Sequence, residues 1–331
     1  MLRISIFASL IAAAMWATPA AADSISVQSW GATWDTGLRD IAASFTKETG
    51  IEVNEVSQAS STEGLVKLQA MRDNPEIDVW FTTASVAARA ETDTKLFSKI
   101  NRSALQNASD LINGAINDYW VAAYYYPLSI VYRPDLVKEP IKDWADLWDP
   151  RFKNKLAIPT IEMYQARMLL VSALINGGGI DQVGPGFDKL KKLAPNVAMW
   201  YPSDSDARRA VATGEAVAVV GPPLYAQMLK DDGLPAVIVS PAPSPVMFDV
   251  MMLVNTPRKA AAQKFIDYVV GAQSQEIFSK VYEAPVNVKA KAVPELQQAL
   301  PEQKDQVVFD EKKINAEINT WSERFHGEVA N

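Results

Sequence analysis

The spacing of apolar residues switches repeatedly between two periods along this chain. Ile25, Val27 and Ser29 alternate with Ser26, Gln28 and Trp30, which predicts a strand over Ser24 to Trp30. Leu38, Ile41, Ala42 and Phe45 then recur at i, i+3, i+4 and i+7, a helix started by Asp35 or Thr36 and stopped by Gly50. Ile51 to Val56 reads as strand again. Ser60 and Glu63 form a capping box ahead of a helix through Leu65, Leu68 and Met71, and Ile77 to Phe81 is a third strand. This alternation predicts a parallel sheet with crossover helices. Three loops, Trp30 to Trp34, Gln58 to Thr62 and Thr82 to Ser85, would then share the edge where open α/β sheets bind ligands, with Thr83 in the third. Trp30 and Trp34 flank a small-residue loop and can face a cation or an apolar body; the alternative is that one of them packs in the core. Ser60 to Thr62 could hold an anion at a helix N-terminus, but Glu63 already supplies negative charge there.

The pattern repeats further on. Trp120 to Tyr132 is a long apolar and aromatic run, interrupted at Pro127, that suits a strand crossing between two lobes. Trp144, Leu147, Trp148 and Phe152 form a helical apolar face before Pro150 breaks the helix. Leu156 to Ile158 is a short strand, Pro159 ends it, and Thr160 to Tyr164 are expected to open the next helix, placing Glu162 and Tyr164 at a strand's carboxyl end. Helices through Leu169 and Leu170 and through Phe187, Leu190 and Leu193 follow. Strands come at Val197 to Tyr201 and Ala216 to Val220, with a helix between them capped by Pro202 to Asp206. Further helices are predicted over Lys259 to Val270 and Ser274 to Val281.

Val246 to Val254 contains one charge in an otherwise apolar strand, Asp249. A carboxylate in a buried strand is costly without a partner, so Asp249 must meet one in the protein or on a ligand.

Several strings together resemble the periplasmic solute-binding proteins of bacterial ABC importers, in the branch of polyamine and ferric-iron binders. They are FTKETGIEV at Phe45 to Val53, IVYRPDL at Ile130 to Leu136, DWADLWDPRFKNKL from Asp143, MFD at Met247 to Asp249, APVN at Ala284 to Asn287 and WSERF at Trp321 to Phe325. The resemblance implies a type II two-lobe α/β fold, each lobe a mostly parallel sheet flanked by helices, with a hinge. It divides the chain into 23–127 plus 249–290 for the first lobe and 128–248 plus 291–331 for the second. It implies that Phe248 and Asp249 face a ligand ammonium, and that Tyr225 stands on the later cleft loop, where ferric-iron binders carry adjacent tyrosines. Arg133 replaces the usual asparagine and is expected on the surface. Gly221-Pro222-Pro223 stands where polyamine binders place a tryptophan, and an expected acidic pair is reduced to Glu162, which points to fewer positive charges on the ligand, as in a zwitterionic amine.

Composition narrows the function. Residues 1 to 22 read as a secretory signal, with Arg3, an apolar run from Ile4 to Trp16 and Ala20-Ala21-Ala22. Of 331 residues, 48% are hydrophobic, enough for about two domains. The formal charge of -7 argues against nucleic acid or an anionic membrane as partner. Without cysteine there is no thiol chemistry, and with His326 as the only histidine no Ser-His-Asp triad or multi-histidine metal site can form. The expectation is a monomeric periplasmic protein, not an enzyme, with no cofactor or metal, that passes a small polyamine-like amine to a membrane permease. The ligand residues are Trp30, Trp34, Thr83, Glu162, Tyr164, Tyr225, Phe248 and Asp249. Ferric iron and an anion such as a phosphonate are the alternatives.

Overall fold

A computed structural model describes residues 24–31 and 35–330. The expected signal segment and Trp34 lie outside the described residues. The first half builds β1 (Ser24–Ser29), α1 (Thr36–Thr49), β2 (Glu52–Ser57), α2 (Ser61–Ala70), β3 (Val79–Thr83), α3 (Ala84–Ala90), β4 (Phe97–Ser98) and β5 (Trp120–Pro127). Gly50 ends α1 in the left-handed region at φ 73°, a conformation that costs glycine nothing, and its N–H caps Thr46. The chain then crosses into β6 (Ser129–Tyr132), β7 (Leu156–Pro159), α4 (Arg167–Leu174), α5 (Gly184–Leu193), β8 (Val197–Tyr201), α6 (Asp204–Thr213), β9 (Ala218–Gly221), α7 (Leu224–Asp231) and β10 (Val237–Val239). It returns through β11 (Ser244–Val254), followed by α8 (Lys259–Val269), α9 (Ala272–Lys280), α10 (Pro294–Ala299), β12 (Gln306–Val307) and α11 (Glu311–Glu328).

Two sheets result. In the first, β2, β1 and β3 run parallel, β11 lies antiparallel against β3, and β5 pairs with the other edge of β11. In the second, β8, β7 and β9 run parallel and β6 and β10 complete the sheet antiparallel. Both sheets are covered by helices whose apolar faces match the predicted periodicity, such as Leu38, Ile41, Ala42 and Phe45 of α1. All of β11 is buried, which accounts for its near-continuous apolar sequence. Asp78 locks the base of the first sheet: it accepts from the Ser26 N–H at 2.9 Å and from Arg258 Nε at 2.9 and 3.0 Å.

Three expectations change. β11 joins the first sheet from Ser244 onward, 246–248 pairing with β5 and 244–245 with β12, so the strand is not divided at 249 and β12, expected in the second lobe, also lies in the first sheet. Trp144–Trp148 and Pro150–Phe152 are short 3-10 turns in place of regular helix, with the expected break at Pro150 between them. Arg133 is buried, not on the surface: it pairs with Asp135 and donates to the carbonyls of Val211 and Ala212 at the end of α6, away from the cleft.

Candidate functional site

The two sheets face each other across a cavity of about 200 Å³ lined by Trp30, Thr83, Tyr126, Glu162, Met163, Tyr164, Gln165, Asp204 and Asp249. The first sheet supplies its floor. Asp249 is in register with Thr83 on one side and Tyr124 on the other, so the three side chains stand in a row on one face. Tyr126, two residues from Tyr124, shares that face. Thr83 also caps α3, accepting from the Val86 N–H. Asp249 is 3% exposed, and its Oδ1 makes no hydrogen bond among the described residues. Burial pushes its carboxyl up to about 7; Tyr124 opposes that shift and the Asp204 charge adds to it.

The second sheet supplies the roof. After β7, residues 160–166 do not start a helix as expected. Tyr164, Gln165 and Ala166 all have positive φ (51°, 47° and 59°), a left-handed turn that turns Tyr164 and Gln165 toward the cavity. Ala166 N–H closes the turn on the Ile161 carbonyl at 2.9 Å, and Arg167 Nη1 holds the Gln165 carbonyl at 2.9 Å. The Tyr164 hydroxyl lies 2.6 Å from Asp204 Oδ1 and 2.7 Å from the Tyr225 hydroxyl, which also donates to Asp204 Oδ1 at 2.6 Å. Burial keeps the phenols of Tyr126, Tyr164, Tyr201 and Tyr225 far above their ordinary range, so they act as hydroxyl donors. Gly221 permits this cluster: a Cβ there would stand 2.3 Å from the Tyr225 ring.

Glu162 sits at the rim, bonded to Ser322 and 3.1 Å from His326 Nε2. Burial pushes its carboxyl up, but the bonds from Ser322 and its neighbours outweigh that and hold it below the usual range.

Of the expected site residues, the structure brings Trp30, Thr83, Glu162, Tyr164 and Asp249 to one cavity. Tyr225 stands behind it, acting through Tyr164 and Asp204. Phe248 is a correction. Adjacent strand residues point to opposite faces, so with Asp249 in the cleft Phe248 points away, beside Tyr125 (ring centroids 6.4 Å apart) and into a separate cavity also lined by Trp120 and Phe309. Tyr126, Met163, Gln165 and Asp204 were missed. Asp204 had a legible signal, since it follows the carboxyl end of a predicted strand, but its Ser/Asp-rich surroundings read as a helix cap.

Comparison with known proteins shows the family and the fold. A model of the bacterial extracellular solute-binding protein family matches residues 40–302. Spermidine/putrescine-binding periplasmic protein 1 of Haemophilus influenzae is 25% identical over 288 residues, which is 83% of this chain and 78% of that protein. The gamma-aminobutyric acid-binding protein of Pseudomonas aeruginosa is 24% identical over 222 residues, 63% of this chain and 62% of that one. A crystal structure of an ABC transporter from Clostridium perfringens superposes with a TM-score of 0.75 at 27% identity, covering 92% of this chain and 99% of that one.

Proposed function

The chain belongs to the bacterial extracellular solute-binding proteins of ABC importers, and from that premise we propose that its cleft captures a small diamine or related organic amine. The observation that carries this reading is the charge of the cavity. Its lining holds three carboxyl side chains, Glu162, Asp204 and Asp249, and no Lys, Arg or His among the described residues. Asp249 is buried with an unused oxygen, a poor state for a carboxylate until an ammonium arrives. Trp30, Tyr126 and Tyr164 line the same cavity, and an aromatic face that meets an ammonium attracts it by about 0.5 to 2 kcal/mol. The cavity is small beside the roughly 300 to 1,000 Å³ of drug-sized sites, which favours a short chain.

No bond is made or broken in this reading. The protein acts as a monomer in the periplasm, closes on the solute and presents it to the membrane permease; the polyamine- and aminobutyrate-binding relatives support an amine head group.

Thermal unfolding of the chain from residue 23 onward, with putrescine, spermidine, γ-aminobutyrate, 2-aminoethylphosphonate and ferric citrate, tests it. A ligand at 100 times its dissociation constant adds about 2.7 kcal/mol, a shift of roughly 4 °C at this size. Putrescine is expected to give the largest shift. A shift with aminobutyrate alone would replace the diamine by a zwitterion, and a shift with iron alone would reject the amine reading.

A further inference from the structure

Beside the cavity floor, on the same face of the sheet, lies a second acid that does not line the cavity. Residues Glu283–Ala284 run beside β5: Tyr125 and Ala284 exchange backbone hydrogen bonds at 2.9 and 3.0 Å. Ala284 therefore shares a face with Tyr125, and Glu283 turns to the opposite face, that of Tyr124, Tyr126 and Asp249. Glu283 is 2% exposed, and neither of its carboxyl oxygens completes a hydrogen bond among the described residues. Tyr124, itself fully buried, faces both Glu283 and Asp249. Across the sheet Thr83, Asp249 and Tyr124 stand in one row, and Glu283, opposite Tyr126 in the antiparallel register, lies diagonal to Tyr124 on the same face.

The groups facing Glu283 are Asp249 on β11, Asp35 before α1 and Tyr124 on β5; none is a cation. Asp35 is already engaged, accepting from the Ser29 hydroxyl at 2.6 Å and the Gly31 N–H at 2.8 Å. An ionised carboxylate buried among other acids with no donor is strongly disfavoured, whereas a neutral acid has one O–H to place. Tyr124 is the hydroxyl that faces it.

We infer that Glu283 is a positioning residue of the amine subsite: as an un-ionised acid it donates to the Tyr124 oxygen and thereby commits the Tyr124 hydroxyl to Asp249. Burial, reinforced by the Asp249 and Asp35 charges and opposed by Tyr124, keeps the Glu283 carboxyl far above the usual range, which agrees with a neutral acid there. Of two neighbouring acids in different surroundings, one stays neutral and the other carries the charge. The consequence is a fixed direction of donation, Glu283 to Tyr124 to Asp249. Asp249 is then an acceptor only, and its free oxygen reads a donor such as an ammonium and rejects a carboxylate.

The role rests on the amine reading for its ligand but not for its protonation state, and two measurements separate them. Infrared spectra of the ligand-free protein at pH 8 are expected to contain the carbonyl stretch of a protonated carboxylic acid, absent in Glu283→Gln. Without that band in the wild type the inference falls, whatever the ligand. Titration calorimetry with the amine that stabilises the wild type gives the second readout. Glu283→Gln keeps an N–H donor toward Tyr124 and should bind within about threefold of wild type. Glu283→Leu removes the donor and should bind about tenfold more weakly, with the pH midpoint of affinity displaced upward because Asp249 loses part of its support. Equal loss in both variants, or no loss in either, overturns the inference. A wild type that keeps the band but binds no amine rejects the amine reading alone.

Discussion

Asp249 trades stability for binding, and the direction of that trade can be measured. Its carboxyl titrates at about 7 in the folded chain against an ordinary 3.8, so the folded state holds the proton more tightly than the unfolded one. The associated stability is complete below about pH 4 and is lost as pH rises through 7, up to about 4 kcal/mol in all. Asp249→Asn should therefore unfold several degrees above wild type at pH 8 without ligand, with little difference at pH 4, while amine affinity falls at least about tenfold. Wild-type affinity should itself drop toward tenfold per pH unit below 7, because an ammonium needs the ionised carboxylate. A variant no more stable at pH 8 would mean that Asp249 has a partner in the free protein. Asp249 could be found in the sequence because one charge interrupts an apolar run. Its neighbour Phe248 was misassigned because a motif names two adjacent residues, whereas a strand sends them to opposite faces. Glu283 carried no signal at all, since nothing local tells a buried acid in a loop from a solvated one.

At the scale of an element, the segment after β7 is where local pattern and structure part. Apolar spacing reported helices and strands faithfully because burial of one face sets both, and β5, β7, β8 and β11 all stand near their expected positions. The left-handed turn at Tyr164–Ala166 has no such pattern: three non-glycine residues with positive φ are disfavoured individually by roughly 1 to 3 kcal/mol and are held here by Arg167, Asp204 and Tyr225. Backbone strain of this kind gathers at binding sites, and the turn brings Tyr164 and Gln165 to the cavity. Gln165→Gly offers a test, because glycine takes φ 47° without cost while losing the side chain at the cavity. The variant should be as stable as wild type or more so, by up to about 1 kcal/mol in chemical denaturation, yet bind the amine more weakly. Lower stability with unchanged affinity would show that the turn serves packing and not the ligand.

For the whole molecule, the question is which lobe the last helix travels with. The sequence announced two lobes through its repeated strand-helix alternation and the crossing at 120–132, but not that α11 would touch both. α11 packs on α5 and on residues 163–166 of the second lobe, with Lys191 and Glu328 paired at 2.6 Å. It also reaches α3 of the first, where Asn315 Nδ2 donates to the Ser85 carbonyl at 2.7 Å and Lys312 meets Glu91. Periplasmic binding proteins close around ligands by hinge motion, and the chain between the two sheets at 127–129 and 240–244 is placed to bend. If α11 moves with the second lobe, the Asn315 contact exists only when the lobes are shut. It would then stabilise the liganded state by about 1 kcal/mol, and Asn315→Ala should weaken amine affinity about fivefold while leaving ligand-free unfolding unchanged. Lys312 is too exposed for its pair to matter as much. Small-angle scattering supplies the matching geometry: the wild type should contract on adding the amine, and Asn315→Ala should reach the same contracted size at higher ligand concentration. If the variant instead unfolds earlier without ligand and binds normally, α11 belongs to the first lobe, and the opening must run between α11 and the second lobe, parting Glu162 from Ser322.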